Sequence, residues 1–115
     1  MRMDATPFGK TIGGTVNCQA YAVDTQPPIN KNDWEVVELV SLSNPGVFAI
    51  QSTANRNAFL RMDGSTGTVN QQWEMSQPDF QNTGVFQLVS IPNSPAFALC
   101  LANSPNVYLR VTVAR

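Results

Sequence analysis

The chain has 115 residues, enough for one domain that buries a core without disulfide staples. Charged residues make up 13%, the formal net charge is −1 and the seven Lys and Arg are dispersed, which excludes the concentrated basic surface of a nucleic-acid or anionic-membrane binder. His is absent, so the usual general base and imidazole metal ligand are missing, and no apolar run approaches the ~18 residues of a membrane span.

Residues 1–4 (MRMD) have the pattern of a strand's end, and Thr6 to Lys10 with Gly13-Gly14 is turn chemistry. Thr15 to Val23 alternates and is expected to be a strand, followed by a loop over 24–33 that contains Pro27-Pro28. Trp34 to Leu42 is rich in β-formers. A helix competes there, but the Ser43-Asn44-Pro45-Gly46 turn that follows favours a strand. Strands are expected over Val47–Thr53, Ala58–Asp63 and Thr68–Met75, the last two joined by the turn Gly64-Ser65-Thr66-Gly67. After a loop at 77–84 come strands at 85–91, 96–102 and 107–113. Short strands separated by Pro, Gly and Asn describe an all-β domain, and no segment keeps helical periodicity over three turns.

Residues 39–62 (LVSLSNPGVFAIQSTANRNAFLRM) and 88–111 (LVSIPNSPAFALCLANSPNVYLRV) align without a gap, with nine identities in twenty-four columns. The identities include Phe48/Phe97, Asn57/Asn106, Leu60/Leu109 and Arg61/Arg110. A second pattern, RMD followed by a turn and GTVN-x-Q, occurs at 1–19 and again at 61–72. Together they describe one domain over 1–115 with three copies of a unit of roughly 50 residues: 1–33 (partial), 34–84 and 85–115 (partial).

A four-strand unit repeated three times about an axis is a β-trefoil, in which closure pools the apolar sides and removes sheet edges. The repeated large residues Phe48/Phe97, Phe59/Tyr108, Leu60/Leu109 and Ile50/Leu99 are then expected in one shared core. About nine strands are countable here. The remainder would come from a longer parent chain, irregular segments or a partner subunit.

The pattern F-x-[IL]-x-S…[FY]-L-R-x-D-G…G-T-V-N, with Gln71-Gln72-Trp73 matching Q-x-W, resembles the ricin-B-like and fascin-like β-trefoils, which include lectins and carbohydrate-binding modules. The resemblance implies a non-catalytic module that binds a glycan or glycoprotein. It also implies that an Asp near the end of the LRMD strand accepts sugar hydroxyls, and that Q-x-W is chiefly a core element. On that basis one pocket is expected from Asp63, Asn70, Gln72 and Trp73, and a weaker copy from Asp4, Asn17, Gln19 and Tyr21. Each residue has a plain structural alternative: a turn carboxylate for Asp63, backbone-satisfying amides for Asn and Gln, and core packing for Trp73 and Trp34. The repeated Arg61, Arg110 and Arg2 read as outward strand residues whose stems cover the sheet.

No cofactor and no metal site is expected: Cys18 and Cys100 are far apart, and buried thiols are favoured over a disulfide. Neither a signal peptide nor a membrane insertion segment is recognisable. Two other functions fit the same fold. One is a protein-binding trefoil, such as a protease inhibitor, contacting its partner through loops 24–33 and 76–84. The other is a building block completed by self-association into a homo-oligomer.

Overall fold

The computed structural model describes residues 1–6, 12–17, 34, 36–42, 44–73 and 83–109. Within them the elements are strands: β1 (Arg2–Met3), β2 (Ile12–Gly13), β3 (Val16–Asn17), β4 (Val37–Ser41), β5 (Phe48–Ser52), β6 (Ala58–Asp63), β7 (Thr68–Trp73), β8 (Phe86–Ser90), β9 (Phe97–Leu101) and β10 (Ser104–Tyr108). The protein is all-β, with a curled half-barrel sheet in the order β10-β9-β8-β5-β6-β7-β2, β4 pairing β5, and a separate ribbon of β1 and β3.

The sequence repeat is a structural repeat. In the β4–β5 hairpin Ser41 lies opposite Phe48, Leu39 opposite Ile50 and Val37 opposite Ser52. In the β8–β9 hairpin the same positions one copy later are paired: Ser90 with Phe97, Leu88 with Leu99 and Phe86 with Leu101. Gln51 opposite Phe59 is matched by Cys100 opposite Tyr108. The bond from Thr53 N–H to the Val36 carbonyl (3.4 Å) is matched by Ala102 N–H to Val85 (2.9 Å).

The RMD…GTVN pattern folds twice as well. Arg2 pairs with Asn17 and Met3 with Val16 in one copy, Arg61 with Asn70 and Met62 with Val69 in the other. The glycine before each GTVN threonine turns the chain with a left-handed backbone, φ 72° at Gly14 and 71° at Gly67. Only a residue without Cβ enters that region freely. Gly13, read from sequence with Gly14 as turn chemistry, instead joins Ile12 in a short strand added to β7 at Gln72 and Gln71.

The core holds Met3, Ile50, Ala58, Leu60, Met62, Phe86 and Leu101. Period-two alternation explains it: Ala58, Leu60 and Met62 point inward from β6, whereas Phe59, Arg61 and Asp63 point the other way. Phe48, Leu99 and Leu109 pack against this cluster. The expectation that all four repeated pairs enter one core is corrected in part, because Phe59 faces away from the cluster and Phe97 is 64% and Tyr108 49% exposed. Tyr108 immediately precedes inward-packed Leu109 and so takes the opposite face; Phe97 lies beyond the last covering strand. Cys100 is a buried free thiol, while Cys18 lies outside the described residues.

Candidate functional site

The repeated motif builds a similar feature twice, once on the outward face of β6 and β7 and once on β1 and β3. The Arg61 guanidinium donates to Asn70 Oδ1 at 3.2 Å and to Asp63 Oδ2 at 3.2 Å. In the other copy Arg2 donates to Asn17 Oδ1 at 3.1 Å, and its guanidinium lies 4.2 Å from the centre of the Trp34 ring. Arg61 and Arg2 therefore organise their hairpins from outside, and the stem of Arg61 is largely covered, with 14% of its side chain exposed.

Asp63 closes the turn after β6. Its Oδ1 accepts the Ser65 hydroxyl at 2.6 Å and the Ser65 backbone N–H at 2.9 Å. Asp4 accepts the Thr6 backbone N–H at 2.8 Å in the same way. Hydrogen bonds from Ser65, then the nearby Arg61 charge, hold the Asp63 carboxyl below its ordinary range; bonds from Thr6, then Arg2, do the same at Asp4. The turn-carboxylate role is thus realised at both positions. Asp63 nevertheless keeps 24% of its side chain open to solvent.

That open side faces a cleft of about 500 Å³ between the 63–68 turn and β10, lined among others by Asp63, Thr68, Asn106, Val107 and Tyr108. Gly64 makes the close approach possible: a Cβ there would meet Val107 Cγ2 at 2.5 Å. The residues that line the cleft include a carboxylate, a hydroxyl, an amide and an aromatic residue, types that bind a neutral polyhydroxylated molecule. A group of three His, Cys, Asp or Glu side chains able to hold a metal is absent among the described residues.

The pocket expected from Asp63, Asn70, Gln72 and Trp73 does not assemble as one site. Asp63 and Asn70 are brought together through Arg61, and of the four only Asp63 lines the cleft. Gln72 shares their face, opposite Phe59 and Ile12, but is closed to solvent, with both amide atoms unpartnered among the described residues. Trp73 is opposite Ala58, so alternation sends it to the inner face, where it packs against the core. In the other copy Asp4 and Asn17 stand at the matching places, while Gln19 and Tyr21 lie outside the described residues. Loop 24–33 and most of loop 76–84 also lie outside them.

Gln71, not singled out in the sequence as a site residue, is fully buried and donates Nε2 to the carbonyls of Asp4 (2.8 Å) and Thr15 (2.9 Å). Asn106 and Tyr108 were legible only as members of repeated pairs. The sign that could have marked Tyr108 is its place beside Leu109, since neighbours on a strand cannot both face the core.

Compared with known proteins, the chain matches no family model, no curated protein and no solved structure.

Proposed function

We propose that this chain is a non-catalytic carbohydrate-binding module of β-trefoil type, with its principal sugar site in the cleft between the 63–68 turn and β10. The observation that carries the reading is that Asp63, Asn106 and the half-exposed Tyr108 all line that cleft. An ionised acceptor binds hydroxyls strongly, and an aromatic face takes the C–H side of a sugar ring. The trefoil part is supported by the repeat, whose hairpins share one register, and by the Q-x-W segment, where Gln71 bonds backbone and Trp73 packs inward. A shallow site of this size binds a single sugar weakly, and useful affinity comes from several contacts at once.

A glycan array followed by titration calorimetry tests the proposal. Expected are hits whose binding is lost in Tyr108→Ala and in Asp63→Ala, with the far-UV circular dichroism of the native fold retained. An array without hits, or binding that both substitutions leave unchanged, overturns it.

A further inference from the structure

The junction between the second and third copies shows what an edge of this repeat receives. β5 is paired along one edge by β4, and along the other it meets β6 at Gln51 and β8 at Phe48, where Phe86 lies opposite. β9 repeats the arrangement one copy later, with β8 along one edge and β10 at Cys100. At Phe97, the counterpart of Phe48, no further strand follows among the described residues, and the ring is 64% exposed where Phe48 packs on the core. β4 has the converse gap. Its counterpart β8 is held between β9 and β5, whereas β4 pairs only β5 among the described residues.

Among the described residues, one open edge therefore lacks a strand of the β4/β8 kind, and the other lacks a strand of the β5/β9 kind. Each is what the other supplies. We propose that the two edges pair between copies of this chain: β4 of one molecule joins β9 of the next, with Val37 opposite Phe97 as Phe86 is opposite Phe48. The contact continues an interface the fold already contains, in the same register and with an apolar pair at the same place. Within one molecule β4 and β9 are the outer members of the strip β4-β5-β8-β9, so the pairing is made between molecules. The two edges are different surfaces, so the association is head-to-tail. It covers exposed apolar side chains and unpaired backbone groups together, the two liabilities of an open sheet edge. It is independent of what the cleft binds.

Sedimentation velocity on the native chain, across a dilution series of roughly two decades, reads the association directly. The expected result is a concentration-dependent oligomer that Phe97→Asp converts to monomer, with unchanged circular dichroism because that side chain is outside the core. Mixing Val37→Cys and Phe97→Cys variants under mild oxidation is expected to give a cross-linked heterodimer that neither variant forms alone. A native chain that stays monomeric overturns the proposal, as does association that survives Phe97→Asp or a mixture that yields no heterodimer. Saturable binding of a synthetic peptide with the sequence of residues 84–91 by a monomeric native chain would assign the edge to another segment, and also overturns it.

Discussion

The buried Gln71 amide donates to the Asp4 carbonyl oxygen at 2.8 Å, joining residues 67 positions apart. Its second bond, to Thr15, reaches the other end of the same open turn, so one side chain clamps the first RMD…GTVN hairpin onto the second. It works beside the short backbone pairing of Ile12–Gly13 with Gln72 and Gln71, the other link between the two units.

Replacing that clamp should be costly. Gln71→Ala removes two hydrogen bonds and leaves a buried void, and is expected to destabilise the fold by about 2–4 kcal/mol. Urea unfolding checks this: the midpoint should fall with little change in slope. Gln71→Glu should be worse, since it sets an acceptor against two carbonyl oxygens.

The two glycines flanking the cleft turn should fail for different reasons. Gly67→Ala meets nothing within 4 Å, so its cost is conformational, about 1–2 kcal/mol for a left-handed residue. Gly64→Ala runs into Val107. In a double-mutant cycle with Val107→Ala, the pair should be less destabilised than the sum of the singles by roughly 1 kcal/mol, whereas Gly67→Ala with Val107→Ala should be additive.

Acid should weaken both turns. The folded-state values of Asp63 and Asp4 lie below the ordinary 3.8, so their contribution is fully present above the unfolded value and disappears as pH falls through the folded one. Stability measured against pH should be level on this account above about pH 5 and decline below about pH 4. Asp4→Asn with Asp63→Asn, which keeps a side-chain oxygen for the turn N–H, should flatten that acid limb.

For a sugar identified on the array, the aromatic contribution should depend on the ring and less on the phenol. Tyr108→Phe is expected to hold affinity within about threefold, while Tyr108→Ala loses roughly tenfold, an aromatic contact of the order of 1 kcal/mol. Calorimetric titration of the three proteins decides it.

Much of the architecture can be read from particular residues before any folding. Ala58–Asp63 alternates so cleanly that the expected and observed strand have the same bounds, and the matched Phe48 and Phe97 mark hairpins of the same register. The candidate site was less legible. Asp63 was found because it ends a repeated motif. Gln72 and Trp73, adjacent to the same motif, were expected beside it; alternation turns Trp73 to the inner face, and Gln72, on the same face as Asp63 and opposite Phe59 and Ile12, is closed to solvent.

The β5 to β9 strands and the turns at Gly13-Gly14 and Gly64–Gly67 follow from the chain by itself, because alternation and turn chemistry act over a few neighbouring residues; the strand expected at 107–113 instead begins at Ser104 as β10, and residues 110–113 lie outside the described residues. Only the tertiary structure decided that Phe48 is packed while its twin Phe97 stands in solvent, that Gln71 clamps a distant hairpin, and that β10 comes to face the Asp63 turn. Those outcomes depend on which distant strand arrives alongside, and a motif repeated in two copies cannot by itself encode two different neighbours.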